Sequence, residues 1–385
     1  MRPFRILHLS SSERWTGPAE PIVSLAREQQ RRGHEVWLAC VPGQSFERRA
    51  RHQGLRTLSQ FHLDRRLNPL RFLGDLRSTR LFVRANQVEI VHCHLLHDNW
   101  IAALALMGLR KPPLLARTFH RWELPRGDIA HRWLFGWRND LTITTSRSLL
   151  ALFDGRIALR GGATAVIYGG VDCERFNPDR CGLALREELG ISPSAPVAGI
   201  VARMTVGRGH RWLLNAAPAV VRHMPQARIL LIGRGPLKKP LRAEINSTRL
   251  RENVALAGYR RADLPEAYAA LDVALFLGMG SEGTCRAALE AMATGRPVIA
   301  HRAGALPEIV EDGKTGLLVE PDDADALADA IVRLLGDPHE RERMGRAARQ
   351  AVLERFTEAH RAEATLAAYR AVWQARCDQA SGLGE

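Results

Sequence analysis

The sequence predicts an α/β chain of two parallel-sheet domains, and three observations carry that prediction. Short β-type runs alternate with helical stretches almost from end to end, the pattern of strands joined by covering helices. A loop-rich stretch over 169–196, with Pro178, Gly182, Pro193 and Pro196, interrupts the rhythm, which then restarts. The chain has 385 residues, 46% of them hydrophobic and 25% charged, which is long for one domain and enough for two with full cores.

Each element follows from its local sequence. Residues 4–10 (FRILHLS) read as the first strand, and a helix over 20–32 ends at Gly33 before a second strand at 35–41. Further strands at 89–94, 114–119, 141–145 and 165–168 complete the first half. Beyond the interruption, strands at 197–202, 228–233, 254–257, 273–277, 297–300 and 316–319 form the second. A last helix over 357–376 carries Leu366, Tyr369, Val372 and Trp373 at helical spacing, a stripe that must be buried against one of the domains.

Several classes are excluded early. The longest apolar run, Ile101 to Met107, falls far short of the ~20 residues that cross a bilayer. The first nine residues lack the apolar core and small-residue cleavage site of a signal peptide, so a cytoplasmic location is expected. Six cysteines without a CxxC pair read as reduced thiols, neither a disulfide frame nor a zinc site. The net charge of +14 is uneven: residues 1–180 hold 28 basic and 16 acidic side chains, residues 181–385 hold 27 and 25. The first half therefore faces something anionic.

The most informative segment is Ser281-Glu282-Gly283-Thr284-Cys285-Arg286-Ala287-Ala288-Leu289-Glu290, leading into a helix-forming Ala-Met-Ala run. It follows a strand, and a loop–helix junction at a strand's carboxyl end offers backbone N–H groups and a positive dipole end suited to phosphate. Gly283 permits close backbone approach. Glu282 and Glu290 bracket the junction with seven residues between them, and carboxylates beside a phosphate site suit the neutral hydroxyls of a sugar. Taken alone, they read equally well as a helix N-terminal acid and an exposed helix charge.

This segment resembles the E-x7-E signature of family-4 retaining glycosyltransferases of glycosyltransferase group 1. The run 199–209 (GIVARMTVGRG) is similar to that family's G-R-L-x-x-x-K-G, and the runs 231–236 (LIGRGP), 166–178 (VIYGGVDCERFNP) and 304–319 (GALPEIVEDGKTGLLV) follow in family order. The resemblance runs from the first strand to about residue 370 and is strongest over 165–320. It implies the GT-B fold, two Rossmann-like α/β domains facing across a cleft. An acceptor-binding domain would cover 1–175 and a donor-binding domain 176–355, with a C-terminal helix over 356–385 crossing back toward the first.

Carried onto this sequence, the resemblance makes Arg203 and Arg208 the cations that hold a donor diphosphate. Guanidinium groups suit oxygens that gain charge as a glycosidic bond breaks. Arg208 stands where the family usually has Lys, which keeps the charge and changes its geometry. Glu282 would bind hydroxyls of the donor sugar and Glu290 the ribose. Gly283, Thr284, Cys285 and Arg286 would line the sugar and phosphates, with Cys285 in place of a frequent small residue. His120, ending the run 114–120 (LLARTFH), is similar to the family's strand-end T-x-H, whose His sits near the anomeric carbon. Gly17 and Glu20 match a glycine-rich turn after the first strand; Pro18 departs from it and removes an N–H donor. Arg234 departs from a common acidic residue, and Gly169 from a usual Asn. His92 and His94 suggest a metal by type, but no third ligand follows at a telling spacing, so neither metal nor other cofactor is expected.

The resemblance implies transfer of a sugar from a nucleotide diphosphate sugar, UDP-type by family frequency, with retained configuration and without metal. The rival class, a polyanion-binding protein, would need a basic stripe with aromatic platforms. Here the signature motifs lie in the near-neutral half and point to a small anionic ligand instead of nucleic acid. A catalytically silent binding module is the remaining alternative. In the first half, arginines alternate with Leu and Phe over 47–84, and Trp122, Trp133 and Trp137 are interleaved with Arg121, Arg126, Arg132 and Arg138 over 119–138. Trp133 and Trp137 are expected on one helical face, the pairing of a lipid–water boundary. The expected acceptor is an anionic or lipid-linked glycan such as a lipopolysaccharide or polysaccharide precursor. The enzyme would then be peripheral on the inner leaflet.

Overall fold

Hydrogen bonding between strands of like direction builds two separate parallel sheets. The computed structural model describes residues 2–15, 17, 19–63, 68–120, 126–159 and 163–382. Pro18, Arg65, Arg66, Arg121 and Trp122 lie outside the described residues. The chain divides into one unit of Met1–Gly169 with Glu358–Glu385 and another of Gly170–Thr357. The sequence reading puts the boundary at 175/176. The division falls earlier because the Val171 N–H donates to the Phe356 carbonyl, and the Arg349 guanidinium binds the carbonyls of Cys173 and Phe176.

In the first unit the strands are β1 (Arg5–Ser10), β2 (Glu35–Cys40), β3 (Arg56–Leu58), β4 (Ile90–Cys93), β5 (Leu114–Phe119), β6 (Leu141–Thr144) and β7 (Ala163–Val166). Their order is β3-β2-β1-β4-β5-β6-β7, so the topology switches direction between β1 and β4. β3 is absent from the sequence reading, because three residues hold no alternation to detect. β7 begins two residues before its expected place, where Leu141 pairs with Ala163. Period-two alternation sends Leu7 and Leu9 into one apolar layer and Phe4 and Ile6 into the other. The second layer is closed by helices Ala19–Arg31 and Glu358–Gly382. The expected C-terminal stripe is buried here: Leu366, Tyr369 and Val372 enter this core, and Trp373 packs at its margin. Each such side chain contributes about 1.5–3 kcal/mol, and Arg27 pairs with Glu358 at 2.7 Å where that helix begins.

The second unit holds β8 (Val197–Val201), β9 (Arg228–Ile232), β10 (Val254–Gly258), β11 (Val273–Phe276), β12 (Val298–His301) and β13 (Gly316–Val319) in the order β10-β9-β8-β11-β12-β13. Its switch point lies between β8 and β11. The expected loop over 169–196 contains a short helix, Leu183–Glu188. The buried Arg186 within it fixes that segment by binding the carbonyls of Ala270, Pro193 and Ala195 and the Asp272 carboxylate. Among the described residues, no helix is long and apolar enough to cross a membrane.

Candidate active site

In an open α/β sheet, ligands bind beyond the carboxyl ends of the strands where the order switches. Arg203 and Arg208 follow β8, and Ser281 to Arg286 follow β11, so the sequence candidates of the second unit meet at its switch point. Two glycines set how closely these loops approach. Gly209 has φ +93°, and a Cβ there would lie 2.6 Å from the Cβ of Leu277. A Cβ on Gly233, after β9, would lie 2.0 Å from the Ala202 carbonyl oxygen. Neither position admits a side chain.

Arg208 reaches across to the first turn of helix Glu282–Ala293, where its Nη1 donates to Thr284 Oγ1 at 2.5 Å and to Ser281 Oγ at 3.3 Å. Burial, then the nearby Arg203 guanidinium, lowers the pKa of Arg208. Arg208 thus sits at a helix N-terminus, where the Thr284 N–H turns back to the Ser281 carbonyl at 2.9 Å and the N–H groups ahead of it have no preceding turn to bond. Ser281 is the N-cap in extended conformation, and its side chain engages Thr284 and Arg208 in place of a capping bond. Glu282 and Thr284 are buried and Gly283 half-buried. Glu290, two turns along, accepts from the buried Tyr268 Oη at 3.0 Å and lies 3.5 Å from Arg286 Nε. Its carboxylate is therefore fixed in orientation by its neighbours. Cys285 turns its thiol to the Gly280 carbonyl at 3.7 Å, and burial raises its pKa, so it is a packed, unreactive thiol. Arg234 stacks 4.1 Å above the Tyr259 ring.

The first unit's candidates also lie at its switch point. His8 on β1 is paired in register with His92 on β4, and His94 follows on the same face. His120 ends β5. All four are buried. His94 Nδ1 is 3.0 Å from His120 Nε2, His94 Nε2 is 2.9 Å from His8 Nδ1, and His8 Nε2 is 2.7 Å from Gln29 Oε1. His92 lies between Thr118 Oγ1 at 2.7 Å and Tyr369 Oη at 2.6 Å. Burial lowers His8 to about 4 and holds His92 and His94 well below the usual imidazole range, with Arg361 and Arg117 adding to the effect. The third histidine missing from sequence spacing is supplied by β1, so His8, His92 and His94 stand within ligand reach of one another. Their facing nitrogens are already hydrogen-bonded. Gly17 sits in an exposed turn between β1 and its helix.

The tryptophans of the first unit lie in different surroundings. Helix Ile129–Trp133 continues as a π-helical turn, Leu134–Arg138. Trp133 stacks on Trp100 at 5.8 Å, while Trp137 is 75% exposed.

Residues 195–337 match the family Glycosyl transferases group 1, and residues 16–175 match Glycosyltransferase Family 4. The chain belongs to the group 1/family 4 glycosyltransferases. It is 34% identical over 195 residues to the GDP-mannose-dependent alpha-(1-6)-phosphatidylinositol monomannoside mannosyltransferase of Mycolicibacterium smegmatis, covering 49% of this chain and 51% of that protein. It is 34% identical over 220 residues to the sulfoquinovosyl transferase SQD2 of Arabidopsis thaliana, covering 55% and 41%. The chain thus spans about half the length of the curated relatives it matches. The fold is shared with a glycosyltransferase from Rickettsia africae, with a TM-score of 0.84, 19% identity, and coverage of 97% and 99%. It is shared also with Anabaena Alr3699/HepE in complex with UDP and glucose, with a TM-score of 0.76, 21% identity, and coverage of 94% and 97%. Both units of the chain are the Rossmann-like halves of the GT-B fold.

The sequence reading missed the side chains that orient the candidates: Ser281 beside Arg208, Tyr268 on Glu290, and His8 with Gln29 behind His94. One signal was available. His8 is the one polar residue in the apolar run 6–9.

Proposed function

We propose that the chain transfers a sugar from a nucleotide diphosphate sugar to a hydroxyl of a glycolipid or polysaccharide precursor, with retention of configuration and without a metal ion. The observation that carries this is Arg208, held against Thr284 and Ser281 beside Arg203 at a helix N-terminus. This arrangement suits two developing phosphate charges and supplies the charge neutralisation a divalent cation would otherwise give. Glu282 and Gly283 take the donor sugar, Glu290 the ribose, and the Thr284–Arg286 turn the phosphates, while His120 serves the sugar from the first unit. Cys285 acts through packing. Attack comes from the face the diphosphate leaves, and the departing phosphate oxygen takes the acceptor's proton.

Relatives named for GDP-mannose and for phosphatidylinositol-linked acceptors make GDP-mannose a donor to test beside UDP-sugars, and support a lipid-linked acceptor. A peripheral membrane role gains support from helix Pro69–Ala85. Leu70, Leu73, Arg77, Leu81 and Arg84 are all exposed and fall on one stripe of that helix. Leucines flanked by arginines suit an anionic lipid surface.

The test is thermal stability with a panel of nucleotides and nucleotide sugars, with and without EDTA. A donor at 100 times its Kd adds about 2.7 kcal/mol. A shift that survives chelation is expected. No shift with any nucleotide, or one abolished by EDTA, rejects the donor site.

A further inference from the structure

We propose that Gln29, His8 and His94 form a hydrogen-bonded chain that fixes His120 in a single neutral tautomer, making His94 a positioning residue for the reaction; this rests on the reading that His120 serves the donor sugar. The chain is built by the sheet. On the face beneath helices Ala19–Arg31 and Glu358–Gly382, side chains change from apolar to polar toward the carboxyl ends: Ile6 gives way to His8, Ile90 to His92 and His94, and Ala116 to Thr118 and His120. Strand spacing places successive rings within one hydrogen bond of each other, and the His8 and His94 rings stack at 5.2 Å with an interplanar angle of 17°.

Proton counting gives the chain a direction. Each ring–ring junction holds one proton, and a neutral imidazole has one N–H and one lone pair. At the inner end, Gln29 Oε1 can only accept, so the 2.7 Å contact puts the His8 proton on Nε2. His8 Nδ1 must then accept from His94 Nε2–H, and His94 Nδ1 from His120 Nε2–H. His120 is left with its proton on Nε2 and its lone pair on Nδ1. The backbone holds the middle ring in place, because the Asp98 carboxylate accepts from the His94 and Leu95 N–H groups and from Ser11 Oγ. Arg117, Arg361 and His92 surround the chain as well and disfavour an imidazolium within it. A metal ion shared by His8, His92 and His94 is the competing use of these residues. It would have to break the His8–His94 bond and either the Thr118 or the Tyr369 bond of His92.

The test is histidine-selective 15N NMR of the full chain at neutral pH, assigned by single substitutions. It needs no substrate. His8 and His94 are expected neutral and protonated on Nε2, with the His120 proton facing His94 also on Nε2. Gln29→Met should let His120 populate both tautomers, and Gln29→Glu, which can only accept, should keep the Nε2–H form. In donor hydrolysis with GDP-mannose or UDP-glucose, Gln29→Met should lower kcat by about tenfold, the size of one lost hydrogen bond. Donor KM should stay within about twofold, since the nucleotide contacts are elsewhere, and Gln29→Glu should restore kcat. A His120 protonated on Nδ1, or a tautomer unmoved by Gln29→Met, overturns the chain. So does stoichiometric Zn2+ that shifts His8, His92 and His94 together. Full activity of His120→Ala would instead remove His120 from the sugar, a failure of the functional reading that the spectra distinguish.

Discussion

Replacing Arg208 with Ala removes a part-buried cation from the place where the leaving diphosphate would gain charge. Two unit charges about 4 Å apart interact by about 4 kcal/mol at an effective dielectric near 20. Arg203 remains and the site is partly open to water, so the differential loss is about 3 kcal/mol, roughly a hundredfold in kcat. The fold should tolerate the change. Ser281 Oγ and Thr284 Oγ1 are already hydrogen-bonded to each other at 3.1 Å and keep that bond once the guanidinium is gone. Repulsion from Arg203 and the burial of the charge, both of which oppose the Arg208 cation, are relieved at the same time. Stability should therefore stay within about 1 kcal/mol of the parent. Steady-state release of nucleoside diphosphate, with urea unfolding of the same preparations, measures both quantities. Arg208→Lys should recover most of the activity because the charge returns. Near-parental turnover by the folded Ala variant would refute the placement of the diphosphate.

Other consequences follow from single contacts. Tyr268→Phe removes the donor on Glu290 and should raise donor KM with little change in kcat, read by donor titration; an unchanged KM would take Glu290 away from the ribose. Acid should destabilise both units. Buried His8 and His210 hold folded pKa values of about 4, so the unfolded chain binds the extra protons. Stability is then lost as pH falls from about 6.5 toward 4, by about 1.4 kcal/mol per pH unit per histidine. Neither ring nitrogen of His210 has a partner among the described residues, and His210→Phe should remove one proton from that slope; an unaltered slope in denaturant titrations would contradict it. Sedimentation with anionic vesicles should weaken with salt and with Leu73→Glu plus Leu81→Glu, whereas equal recovery with neutral vesicles would argue for a soluble acceptor.

Much of this architecture was legible because parallel strands buried on both faces read as apolar runs of the right length. Val197–Val201 and Val273–Phe276 could be found from composition alone, and the loops after them carry the residues of most evident chemistry. What could not be read is whatever depends on juxtaposition. His8 and His92 are register partners across a switch in strand order that no local spacing encodes. Tyr268 meets Glu290 from the end of a different crossover. Trp133 likewise stacks on Trp100, a neighbour that no local spacing encodes. Arg203 and Arg208 were legible as a pair, but only the structure shows Arg208 seated on Thr284.

The most direct test is the fate of the sugar. The chain is incubated with GDP-mannose or UDP-glucose labelled in the sugar and a lipid extract as acceptor, in EDTA. Released nucleoside diphosphate is quantified, and the anomeric configuration of the product is read by NMR. The account predicts release of the nucleoside diphosphate and a product with the donor's own configuration, both lost in Arg208→Ala. An inverted product, or no release from any nucleotide sugar by a folded chain, would contradict it.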